Sequence, residues 1–301
     1  MSEFLRYPHL ERFGTPEVYG LEEGECYIFP KLDGTNASVW LESGEIQGGS
    51  RKRHLSLDFD NAGFLFWLQR QENIKAFLTD YPHLRLYGEW LVPHTVRTYK
   101  EDAWNRFYVF DVLDNTTGKF LHYNDYVELL EEYKLDYIPV MNILKNPTVD
   151  KLLLIAKTNT FLIKEGEGCG EGIVIKRYDF ENQYGRTTWG KIVTDEFRNT
   201  KSKNSKKKIE EVNNTTEELI VEKYCTEAFI TKEYEKLKLK YDGALEKKHI
   251  KELLGRTYDE FIKEEAYIFI KELKNPKVDF KIVGRLVYSK IKETLDELFQ
   301  G

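Results

Sequence analysis

Long apolar runs are missing from this 301-residue chain, and nothing in it approaches the roughly 20 consecutive apolar residues of a membrane span. The opening MSEFLRYPHLERFG also lacks the apolar core that a secretory signal needs. Cysteine is scarce. Cys26, Cys169 and Cys225 stand far apart with no C-x-x-C pair, which excludes a disulfide framework and a cysteine zinc site. Such usage suits a reducing, intracellular (cytoplasmic) setting. A large excess of one charge is lacking too: the net charge is -6, with 32% charged and 41% hydrophobic residues. That composition belongs to a soluble globular protein rather than a disordered one, and the length has room for two ordinary domains.

The charge is unevenly spread. After residue 200 there are 22 Lys and Arg against 20 Asp and Glu, while the first 200 residues hold 23 against 31. Between them lies RNTKSKNSKKK (198–208), six basic residues in eleven with no acid. Such a run steers polyanions, or serves as a solvated linker.

Up to about residue 200 the texture is that of short strands and turns with helices inserted. CYIFPKLDG reads as a strand ending in a turn, and NASVWLE and EIQGGS flank Ser43-Gly44 as a hairpin. RLYGEWLV, RFYVFDVLD, EGIVIKRY and WGKIVTDEF are further strand-like runs. The spacing of residues 64, 67, 68, 74, 77 and 78 predicts one helical face, and YNDYVELLEEY and TVDKLLLIAKT predict two more helices. Beyond Asn199 charged helical periodicity takes over, punctuated by Asp242-Gly243 and Asn275-Pro276. The pattern predicts an α+β domain on antiparallel sheets over 1–200, a basic linker over 201–209, and a smaller all-helical domain over 210–301.

Several short motifs carry potential chemistry. Lys31-Leu32-Asp33-Gly34-Thr35-Asn36 ends a strand with a lysine, a carboxylate and a tight turn. A lysine is a nucleophile only when neutral, so burial or nearby positive charge would have to favour the free amine. In Glu171-Gly172-Ile173-Val174-Ile175-Lys176, strict alternation puts Glu171 and Lys176 on opposite faces. A bend in Gly166–Gly172 is required to bring both into one pocket. Lys191 in W-G-K-I-V, Glu89 in L-Y-G-E and Phe110-Asp111 in F-Y-V-F-D complete the set. Singly, each also fits an ordinary strand or core residue.

In order and spacing, K-x-D-G-T-N, S-R-K-R at Arg51, Y-G-E, F-D, E-G-I-V-I-K and G-K-I-V together resemble the covalent nucleotidyltransferases. The group comprises polynucleotide ligases and messenger-RNA capping enzymes, and the likeness is greatest to RNA ligases of the phage T4 RNA ligase 2 type. It spans residues 31–193. The resemblance implies an adenylyltransferase domain that uses ATP and Mg²⁺ or Mn²⁺ to join RNA 5'-phosphate and 3'-hydroxyl ends, nicked duplexes included. It implies that Lys31 accepts AMP and passes it to the 5'-phosphate. Glu89 would hold the ribose, Phe110 stack on adenine, and Lys176 and Lys191 contact the α-phosphate. Leu32, Asn36 and Arg51 would make further nucleotide contacts, and Asp33, Glu89 and Glu171 would supply carboxylates to the metal. RNA contacts are expected from Arg51, Lys52 and Arg53, and from Arg198, Lys201, Lys203, Lys206, Lys207 and Lys208. Two departures stand out: the last motif has one lysine where the family often has K-x-K, and Asp33 stands where phage T4 RNA ligase 2 has histidine.

DNA ligases and GTP-dependent capping enzymes share the first domain but usually continue into a β-barrel, whereas this tail reads as helices. An inactive nucleic-acid-binding module would be expected to have lost one of the charged motif residues, and all are present.

Overall fold

A computed structural model of the chain describes residues 4–93, 96–194, 215–241, 243 and 245–299. The chain divides into two compact units, Met1–Thr194 and Asp195–Gly301. The expected basic linker, with Lys201, Lys203, Lys206, Lys207 and Lys208, and Arg198 before it lie outside the described residues.

The first unit is built on two five-stranded sheets. One has the order β1 (Glu11–Arg12), β10 (Gly190–Val193), β9 (Gly172–Lys176), β2 (Glu25–Lys31), β8 (Asn142–Lys145). Only its β1–β10 pair is parallel. The other is wholly antiparallel, in the order β4 (Glu45–Ser50), β3 (Thr35–Glu42), β5 (Leu84–Leu91), β6 (Arg106–Asp114), β7 (Lys119–Phe120). The β3–β4 hairpin turns at Ser43 and Gly44, whose φ values of 53° and 81° give the left-handed pair that matches strand twist.

Alternation along the strands gives the first sheet two unlike faces. Ile28, Ile173, Ile175 and Ile192 face α4 (Val149–Lys157), which buries Leu152, Ile155 and Ala156 against them. Each leucine or isoleucine among them contributes about 2 kcal/mol by leaving water. The opposite face carries Phe29, Val174 and Lys191 in one cross-strand row, with Tyr27 paired to Lys176 beside it. The stretch expected as one helix is two, α1 (Phe64–Leu68) and α2 (Glu72–Asp80), because the chain is extended at Gln71, and YNDYVELLEEY forms α3 (Tyr123–Glu132). Strand β8 carries too short a pattern to be visible in the sequence.

The second unit, where described, is helical: α5 (Thr216–Tyr224), α6 (Glu227–Lys240), α7 (Ile250–Glu272), α8 (Phe280–Thr294) and the short α9 (Asp296–Phe299). Thr215 and Glu218 form a reciprocal capping box at α5, and Thr226 starts α6 with a second cap, splitting what reads as one helix. Leu253, Phe261, Phe269, Val283, Val287 and Ile291 form the centre of its core. Within it, burial works to raise the Glu233 carboxyl, but Lys236 Nζ at 2.7 Å and Arg256 Nε at 3.1 Å prevail and bring it down to about 2.

Candidate active site

The charged motif residues of the first unit form two sets, Lys31 with Glu171 and Glu89, and Lys176 with Asp111 of the other sheet. Lys31 ends β2 and stands opposite Gly172 in β9. Its Nζ lies 2.6 Å from Glu171 Oε2, and the Glu171 carboxylate is almost wholly buried. The bend needed for this is present at Gly172, with φ at 155°. A Cβ there would sit 2.0 Å from Ile192 O, so only glycine fits beside β10. Two further bonds fix the bend: Asn159 Nδ2 donates to Gly172 O at 2.7 Å, and Thr194 N–H donates to Glu171 O at 3.0 Å. Asn159, 1% exposed, gives no sequence signal of this role, because it follows α4 and lies far from the motif it holds.

Glu89 stands across from Asn36 in the β3–β5 pairing, so both side chains share one face. Gly34 N–H donates to Glu89 Oε1 at 2.9 Å, and a Cβ at Gly34 would meet Trp90 O at 2.5 Å. The glycine of K-x-D-G is thus demanded by close approach to β5. Burial pushes the Glu89 carboxyl up to about 7, Lys31 opposes this, and Glu171 adds to it.

Phe110 owes its placement to a β-bulge. Tyr87 pairs with Asp111 but Gly88 pairs with Val109, leaving Phe110 as the extra residue of β6. Gly88 has no room for a Cβ, which would lie 2.5 Å from the Phe107 ring. Beside the bulge, Lys176 Nζ is 2.7 Å from Asp111 Oδ1 and donates to Phe110 O at 2.7 Å. It also lies 4.7 Å from the Phe29 ring centroid. Burial pulls Lys176 down and pushes Asp111 up, each toward its neutral form, while their contact opposes both. The Tyr7 hydroxyl donates to Asp111 Oδ2, and its ring packs edge-on against Phe110 at 4.9 Å. Tyr7 is a pocket residue that the motif pattern misses, since it lies 104 residues from its partner.

Other expected site residues sit differently. The Asp33 carboxylate accepts the Val96 N–H at 2.8 Å and its own N–H donates to Tyr99 Oη at 2.9 Å, which makes it an anchor for the segment after β5. Among the described residues no group of three or more His, Cys, Asp or Glu is placed to hold a metal, so Asp33, Glu89 and Glu171 do not form a three-carboxylate cluster. The side chain in contact with the Lys31 amine is the carboxylate of Glu171. Leu32 is buried. Lys191 is buried on the face it shares with Val174. Arg51 is bonded to His9, and Arg53 donates to Phe59 O at 2.6 Å, with Lys52 on the turn between them.

The family model for RNA ligases matches residues 24–193, more than half of the chain. The chain belongs to the RNA ligase family. No curated protein matches it. Among solved structures it is similar to the Naegleria gruberi RNA ligase with PPi, at 19% identity and a TM-score of 0.53, covering 67% of this chain and 59% of that one. A mutant of that ligase with AMP and Mn aligns at 20% identity and a TM-score of 0.52 over 65% of this chain and 58% of the other. A further mutant with ATP and Mn gives 19% and 0.54 over 67% and 60%. This RNA ligase family chain spans about three-fifths of the length of these solved structures. At such identity the likeness concerns the fold alone: an α+β domain built on largely antiparallel sheets.

Proposed function

We propose that the chain is an ATP-dependent RNA ligase that seals 5'-phosphate and 3'-hydroxyl ends through Lys31. The observation that carries this reading is the Lys31–Glu171 pair at 2.6 Å, set beside Glu89 within the family-matched region. In the first step the neutral Lys31 amine attacks the α-phosphorus of ATP. A P–N bond forms, the bond to the bridging oxygen breaks, pyrophosphate leaves and the amine proton is released. Glu171 Oε2 is near enough to take that proton.

Phosphoryl transfer depends on positioning and on neutralising the nonbridging oxygens. Lys176 and Lys191, on the same face of the first sheet as Lys31, are suited to that task. Lys176 would give its remaining N–H to a phosphate oxygen while keeping Asp111 and Phe110 O, and Phe110, raised by the bulge, offers a flat surface to the base. Mg²⁺ keeps several waters and needs only one or two carboxylates, so Glu89 and Glu171 fit it even without a third. Such an ion would supply charge neutralisation at the phosphates. In the later steps AMP passes to the RNA 5'-phosphate, and the 3'-hydroxyl then displaces it.

Incubation with α-phosphate-labelled ATP or GTP and Mg²⁺, followed by denaturing electrophoresis, tests the reading. Label from ATP on the wild-type chain and none on Lys31→Ala is expected. Label from GTP alone would replace it with a capping reaction, and no label from either, on folded protein free of bound AMP, would remove the enzyme reading.

A further inference from the structure

The helical unit contains a groove of about 400 Å³ lined by Tyr258, Phe280, Lys281, Gly284, Arg285 and Tyr288. That volume is in the range of sites that hold one small ligand. Five of these residues form a single stripe on α8, at spacings of three to four, while Val283, Val287 and Ile291 turn the other way into the core. Tyr258 comes from α7, and its hydroxyl donates to Phe280 O at 3.2 Å, which fixes the ring against the stripe. Tyr258 and Tyr288 meet edge to face with centroids 6.0 Å apart. Gly284 packs beside the Tyr258 ring, where an added Cβ would make ordinary contact at 3.5 Å.

The two charged side chains that line the groove, Lys281 and Arg285, are both cationic, while Asp259 acts on Tyr258 from α7. Helix α8 carries Lys281, Arg285, Lys290 and Lys292 against Glu293 alone. Lys290 is engaged by Glu222, whereas among the described residues Lys281 and Arg285 have no ion-pair partner. The nearest acid in sequence, Asp279, accepts the Lys281 N–H at 2.8 Å as the helix cap. Half-buried tyrosine rings next to cations without an ion-pair partner suit an unstacked nucleotide: a plate for the base and charge for the phosphate. An acidic peptide would need only the cations.

We propose that this groove is a subsite for one unpaired nucleotide of the RNA substrate, its base on Tyr258 and Tyr288 and its phosphate on Lys281 and Arg285. The proposal rests on the RNA ligase reading and extends it to the second unit. The test is fluorescence anisotropy of the full chain with a labelled single-stranded RNA of about twelve nucleotides, across a salt series. Tyr288→Ala is expected to weaken binding about ten-fold, as loss of one base–aromatic stack does. Arg285→Ala is expected to flatten the dependence of log affinity on log salt by about 0.7. Arg285 is exposed, so this second variant leaves the fold intact and keeps the test sharp even if Tyr288→Ala melts early. Both variants within about two-fold of wild type would overturn the proposal. So would a loss confined to Arg285→Ala, which marks a merely electrostatic surface. Label transfer from ATP to the wild-type chain needs no RNA and is read alongside. Its failure counts against the ligase reading, whereas a failed binding test with label transfer intact counts against the groove alone.

Discussion

Replacing Glu89 by Gln should stabilise the ligand-free chain at alkaline pH while removing the carboxylate that the reaction needs. The Glu89 carboxyl stands at about 7 in the fold against an ordinary 4.5, chiefly through burial. Below about pH 4.5 folded and unfolded forms both hold the proton and no cost arises. Between about 4.5 and 7 the unfolded chain releases it and the folded chain does not, so stability falls as pH rises and levels off above 7. That interval corresponds to about 3 kcal/mol, and solvent access to a half-buried carboxyl trims it to about 1–3 kcal/mol. Glutamine does not titrate and can still accept the Gly34 N–H. Urea unfolding of wild type and Glu89→Gln at several pH values should therefore show near-equal stability in acid and a gap that opens toward pH 8 in favour of the variant. Label transfer from ATP should be strongly reduced at the same time. A gap independent of pH, or a variant weaker than wild type at pH 8, would refute the reasoning.

Other expectations follow from single contacts. Gly172→Ala drives a Cβ to 2.0 Å from Ile192 O, so it should lower the melting temperature and abolish label transfer, as read by calorimetry and gel. Asn159→Ala removes the buried bond to Gly172 O and should cost about 1–3 kcal/mol in urea unfolding, with weaker label transfer because Glu171 is no longer fixed. Tyr7→Phe leaves a buried Asp111 oxygen without its donor, and a loss of about 1–3 kcal/mol is expected in the same assay. Glu233 is held at about 2 by Lys236 and Arg256, so its contribution is present above about pH 4.5 and lost as the pH falls toward 2. Glu233→Gln should remove that part of the acid sensitivity, followed by circular dichroism.

Much of this was legible because local chemistry coincides with the final fold. Ser43-Gly44 dictates its hairpin wherever the strands pack, and Thr148 caps α4. The E-G-I-V-I-K run even announces that a bend is needed, and Gly172 supplies it. What stayed hidden depends on partners distant in sequence. The Phe110 bulge exists only relative to β5, and no composition marks it. Asn159 and Tyr7 act through bonds to residues 13 and 104 positions away. Asp33 illustrates a different limit: a motif fixes the residue type, while neighbours such as Val96 and Tyr99 decide whether its carboxylate faces a ligand or the backbone.

The two lysine–carboxylate pairs of the pocket bear different mechanical loads. Lys176 and Asp111 belong to different sheets and act as a rivet between them, buried at 2% and 0% exposure. Lys31 and Glu171 lie along one sheet, and cutting that pair parts nothing. A descendant that abandoned the chemistry would therefore still be held to Lys176 and Asp111 by the need to keep its halves together. It would be free to shed Lys31 and Glu171 first, so the second pair, and not the first, is the telltale of a working enzyme.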